Sequence, residues 1–421
     1  MLYFFASTSI FNADSAFGFT PTLVNKTMED DLVRNRVEGE YSFHLFGDTL
    51  HSSAINVSYT SNVFTFLDRM DRSPDSLTRL NAKTVWDDVR FLFEHESEIS
   101  HLAFQAGGSL DRYQIRRSPY ITDRAGFNLE AHGKLRLTIG QFSTDIFGRL
   151  ENKFGLSSVG FGATAITHIN SDFSFWAGAS YSERSPSLFE TSWISSRLSR
   201  GNDAFKNEHL TIGESGIRFS SFLLDADLRV FYRYIQNPIQ EFISQTEMNL
   251  SRFMTDIISN GSQNYYTHEI GSTINCQLHI WKFFSDSRIA VTKQISQNLT
   301  NNDNQTLLSG STDLYFRDIL IKNALELKTG LRCDFSTSYS PYSYNPETGV
   351  YARSNLDPAI HSIVLSYTRY ASLSLYVFAK IKTATIHFIL QNLLDARYVT
   401  STFYPMYGRG VRFGVSWAFF D

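Results

Sequence analysis

Hydrophobic and polar residues alternate along most of this chain. Between residues 224 and 234, apolar side chains occupy the even positions and charged ones most of the odd positions. A period of two puts successive side chains on opposite faces of a β-strand, so this stretch predicts a strand with one apolar and one charged face. The pattern recurs at residues 268–280 and 321–335 and closes the chain at Val411, Phe413, Val415 and Trp417. The sequence therefore predicts an all-β protein.

Strand and loop lengths distinguish a membrane barrel from a soluble sandwich. Sandwich strands are usually about five or six residues long, whereas these alternating runs reach the length of about ten residues that crosses a bilayer at a tilt. Long polar segments at residues 186–207, 241–264 and 336–358 contrast with short turns at 170–172, 220–221 and 382–383. We therefore expect a transmembrane antiparallel up-and-down β-barrel of about 16–18 strands, with short turns on one rim and long loops on the other.

Composition agrees with a barrel and excludes other classes. The chain has no apolar run of about 18 residues, which excludes a membrane-spanning helix. Aromatic residues make up 15% of the chain, which suits interfacial girdles, although a soluble β-rich protein could also carry that many. The net charge is -4 and no basic patch is present, so no nucleic-acid partner is expected. Cys276 and Cys333 fall on the apolar faces of their strands and are interpreted as small hydrophobic residues. The alternative is a disulfide, which would need the two thiols to be neighbours across strands.

No pattern of catalytic or metal-binding residues stands out. A barrel enzyme would need a partnered Asp and His at the lumen mouth to activate water or a serine. The 11 histidines are scattered without a recognisable spacing. The sequence predicts no enzyme, no metal site and no cofactor.

The end of the chain carries a motif. Asn392, Leu394, Asp395 and Tyr398 precede Pro405, Gly408 and Arg409, and a closing aromatic strand ends at Phe419 and Phe420. This block resembles the C-terminal end of a TonB-dependent outer-membrane receptor. Tyr407 stands where that family usually has a second proline, and Asp421 follows the terminal aromatic residue.

Two segments in the middle of the chain support the resemblance. Residues 181–190 are similar to the family's Arg-x-Pro segment with its downstream glutamate, here Arg184, Pro186 and Glu190. Residues 201–208 resemble a second family segment, with both of its prolines replaced.

The resemblance implies a location and an activity. Receptors of this family lie in the outer membrane of Gram-negative bacteria and import a scarce nutrient, such as a ferric siderophore or a cobalamin-like ligand. The implied partners are outer-membrane lipid, the barrel assembly machinery, a small-molecule ligand and, if a plug domain is supplied, the inner-membrane TonB complex. The alternative function is a plugless passive pore or a surface-exposed structural barrel.

The start of the chain bears on the domain organisation. Family barrels have 22 strands and a plug in the lumen, whereas strand patterning here begins within the first fifty residues. Residues 1–11 lack the Lys or Arg of a signal peptide and are interpreted as the end of a strand, followed by a loop at 12–31. We expect one barrel domain over residues 1–421, truncated at its N-terminal side and without a plug. A split gene, a misplaced start codon or a true plugless barrel would each produce this pattern.

Long loops supply the candidate ligand contacts. Arginines there could clamp an anionic chelate, and tyrosines could stack on a ligand. The alternatives are solvated loop charges, a structural Arg184–Glu190 pair at the strand mouth, and rim tyrosines. The candidates are Arg184, Glu190, Trp193, Arg197, Arg200, Tyr342 and Tyr344.

Charged residues on the polar faces of the strands are expected to form ion pairs across neighbouring strands in a wet lumen. They are Asp225, Asp227, Arg229, Arg233, Lys322, Glu326, Lys328 and Arg332.

Overall fold

The computed structural model describes residues 28–44, 51–68, 81–116, 123–187, 206–244, 254–258, 266–296, 306–321, 324–337, 342–345, 350–355, 369–401 and 404–417. All regular structure in these ranges is β-strand. The strands are β1 (Met28–His44), β2 (His51–Asp68), β3 (Asn81–Ile99), β4 (Leu102–Arg116), β5 (Arg124–Ile139), β6 (Phe142–Lys153), β7 (Leu156–His168), β8 (Phe173–Arg184), β9 (Glu208–Ser220), β10 (Leu224–Gln236), β11 (Gln240–Ser244), β12 (Met254–Ile258), β13 (Tyr266–Ile280), β14 (Phe283–Ser296), β15 (Thr306–Leu320), β16 (Leu325–Ser336), β17 (Tyr342–Asn345), β18 (Val350–Asn355), β19 (Tyr370–Ile381), β20 (Ala384–Gln391), β21 (Val399–Ser401), β22 (Tyr404–Pro405) and β23 (Gly410–Trp417). Within these ranges, no helix has the length and apolar content needed to cross a membrane.

Seventeen strands form one antiparallel sheet, the barrel wall. Each wall strand pairs with the next one along the chain, in the order β1 to β10, β13 to β16, β19, β20 and β23. This confirms the predicted up-and-down barrel. Because strand direction alternates, β1 and β23 run the same way, and among the described strands each pairs on one side only.

The connections differ between the two rims. On the turn rim, β3–β4, β5–β6, β13–β14 and β19–β20 are each joined by two residues. Most connections on the opposite rim, the loop rim, are longer, and the exception is the two-residue turn Phe154–Gly155 between β6 and β7. Gly155 adopts a φ of 84°, a left-handed conformation that glycine tolerates.

Several wall strands extend further than the sequence pattern indicated. β1 begins at Met28, inside the loop predicted at residues 12–31. The loop expected at residues 66–84 is shorter, because β2 runs to Asp68 and β3 starts at Asn81. The backbone ladder continues there without apolar alternation, since ladder hydrogen bonds need no particular side chain.

Three loops of the loop rim join in a second, six-stranded sheet, which the sequence did not predict. The loop between β10 and β13 contains β11 and β12, and the loop between β16 and β19 contains β17 and β18. β11 pairs in parallel with β18, and β17 pairs in parallel with β21 of the C-terminal loop. The polar segments 241–264 and 336–358 are therefore not wholly irregular, because pairing between distant loops supplies their backbone partners.

Candidate functional site

The two faces of the wall differ in chemistry. On β23, Val411, Phe413, Val415 and Trp417 share the outer face and are between 58% and 68% exposed. Arg412, Gly414 and Ser416 alternate with them on the inner face. An apolar outer face and a polar inner face are typical of membrane barrels that enclose water.

Ion pairs connect neighbouring strands along the inner face, as predicted. Arg233 Nη1 lies 3.3 Å from Glu269 Oε2, and Lys328 Nζ lies 3.8 Å from Asp313 Oδ2. Arg229 pairs with Glu214 in the same way. The side chains keep between 23% and 37% of their exposure, so solvent screening leaves each pair a small effect on stability. Their main consequence is a charged lining.

Glu326 and Asp225 also pair across neighbouring strands, whereas Arg332 pairs within its own strand. Arg332 Nε pairs with Asp334 of its own strand at 3.0 Å, and Arg317 Nη2 reaches Glu326 Oε1 at 2.6 Å. Asp225 pairs with Arg218 at 3.2 Å. Asp227 lines a cavity on the inner wall. Lys322 lies outside the described residues.

A second charged region centres on Arg90 of β3. Its guanidinium lies 3.4 Å from Asp111 and 4.0 Å from Glu130, on the two following strands. Glu151 of β6 lies in the same inner-face row as Glu130, pairs with Lys153 and is only 6% exposed. Here carboxylates outnumber cations, so this sector of the lumen lining is acidic.

Inner-face aromatic rings lie over glycines of neighbouring strands. A Cβ placed on Gly271 would approach the Phe231 ring to 2.5 Å, and one on Gly216 would approach the Trp176 ring to 2.5 Å. The guanidinium carbon of Arg233 lies 4.5 Å from the centroid of the Phe231 ring. The rings therefore lie against the wall instead of projecting across the lumen.

An aromatic cluster occupies the inner face near the loop rim. Phe154 packs edge-on against Tyr113 at 4.9 Å and Trp86 at 6.2 Å between ring centroids. Phe154 has a φ of 57°, unusual for a bulky residue. Its backbone N–H donates to Asn128 Oδ1 at 3.1 Å, so the short β6–β7 turn is held by packing and by a hydrogen bond.

Of the predicted loop candidates, Arg184 is the one whose side chain the structure describes. Its Nε lies 3.3 Å from Glu208 Oε1, and the other oxygen of Glu208 accepts the Ile239 N–H at 2.9 Å. Arg184 is thus part of a structural link at the strand mouth, with Glu208 as partner. Glu190, Trp193, Arg197 and Arg200 lie outside the described residues, and Tyr342 and Tyr344 are described by backbone only, in β17.

The C-terminal motif residues form one cluster. Asn392 is buried with a φ of 50°, and its side chain accepts the Ala396 N–H at 2.9 Å and donates to the carbonyls of Ala396 and Tyr407. Asp395 Oδ1 accepts the Arg409 N–H at 3.0 Å, and a Cβ on Gly408 would stand 3.0 Å from that oxygen. Arg409 Nη2 in turn donates to the Leu393 carbonyl. These contacts fix the loop between β20 and β23.

The remaining motif positions are more exposed or lie beyond the cluster. Tyr398 stacks on Tyr370 at 4.0 Å, and burial raises the pKa of its hydroxyl, so the group stays protonated. Leu394 is 60% exposed, and Pro405 belongs to β22. Phe419 and Phe420 lie outside the described residues.

The sequence matches one family of membrane proteins over most of its length. Residues 90–421, more than three quarters of the chain, match the family model described as Putative porin. The chain belongs to this family. No curated protein matches its sequence.

Solved structures resemble this chain in fold. The siderophore receptor PirA from Pseudomonas aeruginosa aligns with a TM-score of 0.66 at 11% identity, over 92% of this chain and 64% of the receptor. The FrpB iron transporter from Neisseria meningitidis (F3-3 variant) gives 0.66 at 12%, over 92% and 63%. The copper transporter OprC gives 0.65 at 13%, over 94% and 67%. The chain thus spans less than two thirds of PirA and FrpB, and such low identity establishes the fold alone.

The contacts between inner-face residues could be predicted only in part from the sequence. The alternation identified Arg229 and Arg233 as inward, but not Glu214 or Glu269 as their partners. Register decides such pairs, and strand boundaries in sequence are too imprecise to fix register. Trp176 and Phe231 carried a usable signal, because each is an aromatic residue on the polar face of its strand.

Proposed function

We propose that this protein forms a water-filled pore through which small hydrophilic solutes cross the outer membrane. The observation that carries the proposal is the ion-paired inner face, which runs along the wall behind an apolar outer face. Charges on one face of a membrane-spanning strand need water, because burying them in lipid or dry protein is costly. A wall of seventeen or more strands is wide enough to enclose an aqueous channel.

A second candidate function is ligand uptake as a TonB-dependent receptor. The C-terminal motif around Asn392 and Asp395 supports it, as does the likeness of the fold to a siderophore receptor and to iron and copper transporters. In this mode the ligand would be a ferric siderophore or a cobalamin-like molecule, and Arg197 and Arg200 would remain candidate contacts. Coupling to the TonB complex would need a plug domain to be supplied.

Both candidates share the same setting. The chain would act as one barrel domain in the outer membrane of a Gram-negative bacterium, surrounded by lipid and inserted by the barrel assembly machinery. In either mode it transports its small-molecule ligand without converting it chemically.

Single-channel recording of the refolded full chain in a planar bilayer separates the two modes. The pore predicts stable conductance steps without any added ligand. A gated receptor predicts a silent bilayer, which would overturn the pore proposal.

A matched pair of variants tests whether the ions pass along the inner face of the wall. Arg229→Gln leaves Glu214 on the inner face unpaired and should shift the conducted current toward cations. Arg116→Gln, in an ion pair with Asp87 on the outer face near the loop rim, should leave the selectivity unchanged. Equal selectivity in both variants would mean that the current does not follow this lining.

A further inference from the structure

A groove lies on the inner wall beside the turn between β9 and β10. One cavity of about 300 Å³ lies between the turn residues Ser221, Phe222 and Leu223 and the inner faces of β10, β13, β14 and β15. A second cavity of about 250 Å³ adjoins it and shares Asp225 and Gln277. Their combined size falls in the range that holds a small ligand.

Strand register arranges the lining in two adjacent rows. His279 pairs with Phe284, and Phe284 pairs with Tyr315, so one row is aromatic. Two residues further along each strand, Asp225 pairs with Gln277, and Gln277 pairs with Asp286. A polar row therefore runs directly beside an aromatic row.

The aromatic row forms a continuous apolar strip. The rings of His279 and Phe284 stack at 4.3 Å and 9°, and those of Phe284 and Tyr315 at 5.0 Å and 6°. Because the rings stack on one another, they present their edges to the groove. Phe222, 6.1 Å from His279, is 86% exposed and offers a free ring face.

The polar row offers donors and acceptors in fixed positions. Arg218 Nη2 lies 3.2 Å from Asp225 Oδ2, and the Ser220 hydroxyl donates to the same oxygen at 3.4 Å. These contacts hold the Asp225 carboxylate in place. Asn275 and Gln277 add amides, each of which both donates and accepts.

This combination fits a ligand that carries hydroxyl groups and no net charge. Hydroxyls can donate to the carboxylates and accept from the amides and Arg218, while the carbon-bound hydrogens of a sugar ring pack on Phe222 and the ring edges. A simple cation would leave the amide donors and the guanidinium without a role, and an anion would meet three carboxylates, Asp225, Asp227 and Asp286.

We propose that the groove is a binding subsite for an uncharged polyhydroxylated ligand, a sugar of one or two rings, at the turn-rim end of the pore. The proposal deepens the proposed function, since it names a solute class for the same lumen. It assigns Phe284 to the apolar contact and Gln277 to the hydroxyl contact.

The test is calorimetric titration of the full chain in detergent micelles with maltose as the probe. Phe284→Ala and Gln277→Ala should each weaken maltose binding about tenfold or more. The matched controls are Phe147→Ala, another inner-face ring, and Gln105→Ala, another inner-face amide, on strands remote from the groove. Both should stay within about twofold of the unchanged chain. Heat-dependent mobility on gels confirms that each variant is folded.

Three results would overturn the subsite: no maltose binding, equal weakening in the control variants, or preference for glucosamine, a cationic sugar, over maltose and glucose. The titration needs no conduction, so it separates the subsite from the pore. If the protein binds maltose but does not conduct, the pore proposal is wrong and the subsite proposal stands. If it conducts but does not bind maltose, the subsite proposal is wrong and the pore proposal stands.

Discussion

At the scale of single residues, glycines shape the inner wall as much as charges do. Gly271 and Gly216 lie under the rings of Phe231 and Trp176, where a Cβ would come within 2.5 Å of ring atoms. Glycine within a strand often marks such a close approach. The ring then covers backbone that the glycine leaves bare.

Replacing one of these glycines should displace its ring. Gly271→Ala forces Cβ against Phe231 and against the Val291 carbonyl at 2.8 Å, and we expect a loss of about 1–3 kcal/mol of stability from overpacking. Gly213→Ala is the matched control, since nothing lies within 4 Å of its added Cβ. Guanidinium unfolding followed by tryptophan fluorescence measures both. Equal midpoints would show that Phe231 does not rest on Gly271.

Asn392 is the other residue whose identity the geometry demands. It combines a left-handed backbone with three side-chain hydrogen bonds in a buried position. Asparagine tolerates this conformation better than other non-glycine residues.

Asn392→Ala should therefore cost about 2–4 kcal/mol, because buried backbone groups lose their partners. The unfolding midpoint in guanidinium checks this. Leu394→Ala, at an exposed position of the same loop, should change the midpoint little. A midpoint for Asn392→Ala close to that of the parent would contradict the role of this side chain.

At the scale of elements, β23 shows the apolar outer face and the polar inner face of the wall. Phe413 is 68% exposed on the outer face, while Ser416 pairs with Thr385 on the inner face. A charged side chain should destabilise the barrel at position 413 and be tolerated at position 416, because the outer face contacts lipid and the inner face contacts water.

Phe413→Arg should destabilise the folded barrel in lipid vesicles by about 2–4 kcal/mol. This is the depth-dependent cost of an arginine at a lipid-facing position. Ser416→Arg on the same strand should cost much less. Reversible unfolding in vesicles measures both. The same loss for both variants would argue against a lipid-facing Phe413.

Sequence patterns predicted the faces of the wall strands but not the pairing of the loop strands. Alternation identified the faces of β10, β13 and β23, because one side of each strand is consistently apolar. It failed for the six-stranded loop sheet, whose strands β11 and β18 pair in parallel across more than a hundred residues. Such pairing depends on where the wall brings the loops, which local patterns do not contain. For the same reason, Arg184 was recognised near the strand mouth, but its partner Glu208 was not.

At the scale of the whole molecule, one wall separates lipid from a charged interior. Each wall strand contributes alternately to both sides, so the lumen lining depends on the register of all seventeen strands. Neighbouring residues of one strand should then differ sharply in their access to water and in their effect on current. β15 offers such a pair in Ser311 on the inner face and Thr312 on the outer face.

The most direct test is modification of cysteines at these two positions during single-channel recording, with Cys276 and Cys333 replaced by alanine. A water-soluble, negatively charged thiosulfonate should react with Ser311→Cys and reduce the conductance within the recording. Thr312→Cys should remain unmodified, because its side chain faces lipid. Reaction and current loss at Thr312→Cys, with none at Ser311→Cys, would contradict a solute pathway along this inner face.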